Sequence, residues 1–303
     1  MQECGRICLT IVACWLDKSF GVTSLSALAD ARASEEINGT WYTHSDNTIK
    51  LFAIEVRCFE LDSLVPGLGT HIDPYFETTI GLGFAGHCFE ALTIIAHIQR
   101  AMGALCRVDR QAMLPEPDGL LNLAAVIAEK YMRDHAYGSI RSFEMLVFGW
   151  NGPDLPWIGK VVWNKEDRKI TKRMENPTPS SIVTIGDGAT ASRAIGVATR
   201  LRSTIARRLG IVASAPPSEK NTFSEALLAI EASRRIAEGV GNLIENQFVQ
   251  TVGGVRQKLQ IAWHGDRARA AFTLDDQSQL MDGLPSVNRS AFLGPIPIVE
   301  KMS

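Results

Sequence analysis

Residues 24–33 run Ser-Leu-Ser-Ala-Leu-Ala-Asp-Ala-Arg-Ala, an apolar segment that halts at an aspartate and an arginine. The segment before it, 9–16 (Leu-Thr-Ile-Val-Ala-Cys-Trp-Leu), is also apolar and is set off by a turn between Asp17 and Gly21. A third apolar segment, 49–59, carries Lys50 next to its start. A fourth, 77–85, leads through Gly83-Phe84-Ala85-Gly86 directly into an apolar helix. Short runs of β-branched and small apolar residues closed by turn formers read as strands. Four of them ahead of the first helix commit this part of the chain to a sheet.

The rest of the chain repeats the theme. A Pro/Gly-rich loop spans Leu61 to Tyr75. The spacing predicts a helix over 87–105 that buries one face, with Phe89, Leu92, Ile95, Ala96 and Met102 at helical intervals. After the Pro115-Glu116-Pro117 break a second helix is expected over 119–136. Strands follow at 142–149, 157–164, 169–175 and 181–186, the last ending in Gly186-Asp187-Gly188 and entering a helix over 189–209. Thr222-Phe223-Ser224-Glu225 has the form of a capping box and opens a helix to about residue 247. Thr251-Val252-Gly253-Gly254 turns into a strand at 255–263, and a last strand covers 268–274. Blocks of strands alternating with pairs of helices predict an α+β fold of stacked sheets with helices on both outer faces. The expected organisation is an extension or propeptide at 1–9, one domain at 10–275 and a polar tail at 276–303 packed along the surface.

Hydrophobic residues make up 46% of the 303 and charged residues 21%, enough apolar material for a large core. With 31 basic and 33 acidic residues the net charge is −2, which gives no electrostatic reason to expect nucleic acid or an anionic membrane as partner. No uninterrupted apolar run approaches the ~20 residues of a membrane span, and the N-terminal segment lacks a signal-peptide cleavage region. Cys4, Cys8, Cys14, Cys58, Cys88 and Cys106 contain no CxxC pair, so a reducing cytoplasm is expected rather than a disulfide framework. Cys4 and Cys8 have no second ligand pair nearby, and structural zinc takes four ligands, so no metal site is expected.

By residue type, a hydroxyl (Thr10), a lysine (Lys50), an aspartate (Asp30) and a glycine backbone N–H (Gly86) are the parts that an N-terminal-nucleophile amidohydrolase needs. A plainer reading is also open. Thr10 can be a strand former, and Asp30 and Lys50 an ion pair that stabilises a hairpin.

These motifs, in this order, resemble the proteasome β-subunit family and its bacterial relatives over roughly residues 9–264. Leu28-Ala29-Asp30-Ala31-Arg32-Ala33 is similar to the family's Ala-Asp-x-Arg-Ala segment, and Lys50 to its strand lysine, here preceded by a longer loop. Gly83-Phe84-Ala85-Gly86 is similar to its Gly-x-x-Ala-Gly element, Gly186-Asp187-Gly188 to its Gly-Ser-Gly, and Thr251-Val252-Gly253-Gly254 to its late Gly-Gly. The resemblance implies a four-layer αββα sandwich of two stacked antiparallel sheets. It further implies identical subunits in a ring, peptide or unfolded protein as substrate, and no metal or organic cofactor. It leaves open whether an ATPase partner exists.

It also implies a threonine peptidase in which Thr10 becomes the first residue and its α-amine, with a pKa near ~8, takes the hydroxyl proton. Lys50 would lower that pKa by like-charge repulsion, and Asp30 would hold Lys50 in place. Gly86 would donate its N–H to the oxyanion, a contact worth about 3 kcal/mol. Ala33 and Phe84 would line a shallow apolar pocket for the side chain before the scissile bond. The chain departs from the family in three places. Thr10 is preceded by nine residues, Leu9 stands where self-cleaving precursors have glycine, and Val249, Gln250, Thr251 and Val252 offer no carboxylate near the late Gly-Gly. A leucine codon read as an alternative start at position 9 would give Met-Thr-Ile-Val, and methionine removal would then expose Thr10. A non-catalytic ring subunit and a small-molecule amidohydrolase are the competing readings.

Cys8 and Cys14 are rival nucleophiles, although Cys14 reads first as a small buried residue on the strand face of Thr10. His44, His71, His87, His97, His135 and His264 form no spaced cluster, and Trp15, Trp150, Trp157 and Trp163 read as core. Arg200, Arg202, Arg207 and Arg208 read as a solvated helix face or subunit contact, and the faces of 87–105 and 189–209 as ring contacts.

Overall fold

A computed structural model describes residues 10–18, 23–37, 40–60, 64–65, 70–71, 73–107, 114–135, 142–178, 181–186, 222–245, 252–274, 280–281 and 284–285. In chain order the strands are β1 (Ile11–Asp17), β2 (Ser24–Ala29), β3 (Ala33–Ile37), β4 (Thr40–Ser45), β5 (Leu51–Phe59), β6 (Leu64–Val65), β7 (Thr70–His71), β8 (Phe76–Gly86), β9 (Leu105–Cys106), β10 (Phe143–Trp150), β11 (Pro156–Asn164), β12 (Lys169–Glu175), β13 (Ile182–Gly186), β14 (Gln257–His264) and β15 (Arg267–Leu274), before two short segments at 280–281 and 284–285. The helices are α1 (Cys88–Met102), α2 (Pro117–Asp134) and α3 (Thr222–Glu245).

Every residue of β1 is buried. A strand reads as an unbroken apolar run, rather than alternating, when both faces of its sheet are covered. β1 lies inside a five-stranded antiparallel sheet ordered β13-β1-β2-β14-β15. A six-stranded sheet is ordered β12-β11-β10-β8-β5-β9, antiparallel except for the β5–β9 pair. Val12, Cys14 and Leu16 of β1 meet Leu146, Phe148 and Trp150 of β10 between the two sheets. On the other side of β1, Ile11, Ala13 and Trp15 pack against Ile236, Val240 and Ile244 of α3. The six-stranded sheet packs Phe84, Met145 and Val147 against α1 and α2. The described residues thus form a mixed α+β structure built on antiparallel sheets.

The stripe that α1 buries is Ala91, Ile94, Ile95, Ile98 and Met102. Each large side chain there contributes about 1.5–3 kcal/mol on burial. The expected face is therefore corrected. Phe89 is 65% exposed, Leu92 41%, and Ala96 is exposed as well. The segment is apolar over more than one stripe, and β8 delivers the helix with the isoleucines inward. Pro117 sits in the first turn of α2, where a missing N–H costs nothing.

A second correction concerns the stretch before Lys50. Where a long loop is expected, β3 and β4 pair as a two-stranded ribbon with Ile37 opposite Thr40. The Asn38-Gly39 dipeptide between them in sequence is a strong hairpin signal. The loop from Leu61 to Tyr75 contains the small β6–β7 pair. All four tryptophans expected in the core are buried, and the Trp150 indole N–H crosses between sheets to the Ile261 carbonyl at 2.8 Å. The expected helix at 189–209 with its arginines, Leu9, Cys4, Cys8, Asp187, Gly188, residues 249–251 and the side chains of Thr222, Ser224 and Glu225 lie outside the described residues. So does most of the tail.

Within the six-stranded sheet Gly81 of β8 lies opposite Phe148 of β10, and an added Cβ would overlap that buried ring. Gly81→Val should lower the urea midpoint by the equivalent of about 1–3 kcal/mol with an unchanged slope. A midpoint equal to that of the unsubstituted protein would contradict this packing.

Candidate functional site

Thr10, Val12, Cys14 and Leu16 share one strand face by period-two alternation, and that face looks into the space between the sheets. Asp30 follows β2, the neighbour of β1 in the five-stranded sheet. Lys50 precedes β5 in the opposite sheet. The two sheets therefore bring together a hydroxyl and a carboxylate from one layer and an ammonium from the other.

The three side chains are in mutual contact. The Thr10 hydroxyl donates to Asp30 Oδ1 at 2.8 Å. Lys50 Nζ donates to Thr10 Oγ1, to Asp30 Oδ2 at 3.1 Å and to the main-chain carbonyl of Arg32 at 2.5 Å. Asp30 also accepts three backbone N–H groups, from Ile11 at 3.0 Å, Arg32 at 3.2 Å and Gly253 at 3.4 Å. Thr10, Asp30 and Lys50 are each at most 1% exposed. A buried ion pair persists only when further hydrogen bonds satisfy both charges, and removing one partner costs roughly 3–5 kcal/mol. Five donors on one carboxylate and three acceptors around one ammonium meet that condition.

Gly186 borders the cluster, and Gly86 ends the strand that meets it there. An added Cβ at Gly186 would collide with the Thr10 carbonyl, and it would stand 3.4 Å from the Ala85 Cβ. Thr10 and the end of β8 therefore meet at Gly186. Gly86 closes β8 with φ of 116°, and a side chain there would strike the Ser142 carbonyl. Packing alone thus requires glycine at position 86. Phe84 is fully buried with its ring stacked on Phe52 at 6.3 Å, and its N–H donates to the Lys50 carbonyl at 3.2 Å. Ala33 is half-buried at the start of β3.

Sequence reasoning passed over several supporting groups. Arg32 turns its guanidinium over Gly253 and onto Asp46 at 2.8 Å, which closes the base of the β3–β4 ribbon. Glu144 accepts the Gly186 N–H at 3.4 Å and pairs with Lys160 at 3.2 Å. This carboxylate therefore holds the residue whose backbone faces the Thr10 carbonyl. Gln257 is buried beside Ala29 and bonds the main chain around Lys50. Its signal is readable, because Gln257 falls in phase with the inward Leu259 and Ile261 of its strand.

Of the rival nucleophiles, Cys14 is wholly buried, and burial pushes its thiol well above the ordinary range. A raised pKa keeps the thiol protonated and unreactive at neutral pH. Iodoacetamide should therefore leave Cys14 unmodified in the folded protein and modify it after denaturation. Rapid alkylation of Cys14 in the native state would contradict this placement.

No family model and no curated protein matches the chain. Solved structures are similar in backbone course. Anbu (ancestral beta-subunit) from Yersinia bercovieri has 12% identity and a TM-score of 0.41, with 88% of each chain covered. A mutant of Anbu from Hyphomicrobium sp. strain MC1 has 12% identity and a TM-score of 0.44, again with 88% of each chain covered. The likeness is coarse.

Proposed function

We propose that this chain is a threonine-dependent amide-bond hydrolase of the proteasome β-subunit type, with Thr10 as nucleophile, acting on peptides within a ring of identical subunits in the cytoplasm. The observation that carries this reading is the buried contact among Thr10 Oγ1, Lys50 Nζ and the Asp30 carboxylate, with Lys50 also bonded to the Arg32 carbonyl. An ordinary hairpin ion pair has no need to enclose a threonine hydroxyl between both charges. The sheet order and the helices packed on each outer side support a four-layer αββα sandwich.

In the active form Thr10 is the first residue. Its Oγ attacks the scissile carbonyl carbon, and the hydroxyl proton passes to the Thr10 α-amine. Lys50 beside it favours the neutral amine. The oxyanion forms against the Gly86 N–H. The C–N bond then breaks, the leaving amine takes the proton, and an ester to Thr10 is left. Water, deprotonated by the same α-amine, attacks the ester and restores the hydroxyl. Phe84, whose main chain touches that of Lys50, and Ala33 at the base of the ribbon border the residue before the scissile bond.

A second reading is a non-catalytic subunit of the same fold. Two observations favour it: Thr10 is linked to Leu9 in the sequence, and the three side chains are almost wholly buried.

Intact mass and hydrolysis of fluorogenic peptides by the natively produced protein separate these readings. The proposal expects a chain beginning at Thr10 and measurable turnover. Thr10→Ala should bring turnover to background and Thr10→Ser should retain part of it. Lys50→Met should reduce the rate by about 10²–10⁴-fold. A native chain beginning at Met1 with no turnover would refute the hydrolase reading. A small-amide panel cleaved in preference to peptides would move the substrate class.

A further inference from the structure

Lys50 reaches Thr10 and Asp30 from the opposite sheet, so its crossing height must be fixed. Its carbonyl is held by the Phe84 N–H at 3.2 Å, within the six-stranded sheet. Its N–H is held from the other sheet, by Oε1 of Gln257 at 2.9 Å. Nε2 of the same side chain donates to the Thr48 carbonyl at 2.6 Å. A side-chain amide that accepts the N–H of one residue and donates to the carbonyl two residues earlier does the work of a neighbouring peptide unit. Gln257 is 1% exposed, opens β14 and lies opposite Ala29, the residue before Asp30.

We propose that Gln257 is a positioning residue for Lys50, a strut from the five-stranded sheet that sets where the ammonium meets Thr10 and Asp30. Its catalytic consequence rests on the hydrolase reading above; its geometry does not. Thr10 and Asp30 are fixed to each other within one layer, as neighbours of paired strands. The lysine alone is carried by the other layer. The Thr48 N–H donates to the Ala31 carbonyl at 2.8 Å and ties the segment to the five-stranded layer two residues earlier, and Gln257 is the side chain that ties the Lys50 N–H itself to that layer. Leucine at 257 fills similar space but leaves the Lys50 N–H and the Thr48 carbonyl without this partner, and the segment 48–50 then loosens.

Two measurements on the full chain test this. Hydrogen–deuterium exchange reads the segment 46–51 directly. The saturation kinetics of Thr10 acylation by a β-lactone, located by peptide mass mapping, read its chemistry as a function of pH. Gln257→Leu should speed exchange in 46–51 at least tenfold and leave α1 and β10 unchanged. It should also lower the maximal acylation rate roughly 10- to 100-fold, at an unchanged half-saturating concentration and with a displaced pH profile. Gln257→Glu, which keeps the acceptor and loses the donor, serves if the leucine variant does not fold and should show the same local exchange change.

Unchanged exchange in 46–51 would overturn the proposal, and so would faster exchange spread evenly through both sheets. A loosened segment with an unaltered acylation rate and pH profile would also overturn it. An unsubstituted protein that is never acylated at Thr10 would overturn the hydrolase reading instead, and exchange alone would then decide whether Gln257 holds Lys50.

Discussion

The carboxylate of Asp30 joins parts of the chain up to 223 residues apart. It takes the Thr10 hydroxyl and the Ile11 N–H at the head of β1, the Arg32 N–H of its own turn, the Gly253 N–H ahead of β14, and the Lys50 ammonium from the second sheet. A carboxylate buried to this degree is tolerable only because every approach to it ends in a donor. The arrangement in turn dictates how the two sheets meet at this end. Lys50 must cross the interlayer space, and both Gln257 and the Phe84 N–H hold its backbone while it does so.

The apolar interior serves this polar knot. β1 and β2 can hold Thr10 and Asp30 in register because β1 is covered by Phe148 and Leu146 on one side and by α3 on the other. Gly186 allows β13 to run against the Thr10 carbonyl where any side chain would be excluded. The Glu144–Lys160 pair then fastens the Gly186 N–H. The apolar packing flanks the polar knot without including its three side chains. Its effect at the site is to deny the cluster the freedom to fall apart into solvated ions.

Much of this could be read from residue order. Blocks of strands alternating with helix pairs are enough to expect stacked sheets, whereas Thr10, Asp30 and Lys50 stand out as one site only through the resemblance to the proteasome β-subunit family, since by residue type alone they read equally as a strand former and an ion pair. The structure brings those three side chains into contact. Periodicity could not choose the buried stripe of α1, because Phe89 and Leu92 are as apolar as Ile94 and Ile98. Only the path of β8 decides which of them points inward. The β3–β4 ribbon was legible in Asn38-Gly39, and Gln257 in its inward phase, but each needs the strand partner before its meaning is plain. The Glu144 carboxylate is set by a neighbouring strand's register, which no local pattern encodes.

The central claim is that the hydroxyl of Thr10 and its own α-amine act as one reactive unit beside Lys50. A peptide α′,β′-epoxyketone tests it most directly, because stable capture needs both a hydroxyl, to add to the ketone, and a free amine on the same residue, to open the epoxide. The account predicts a mass-mapped adduct closed through both groups of Thr10 in the native protein. A native protein that forms no adduct at Thr10, or that carries the reagent on a cysteine instead, would contradict it.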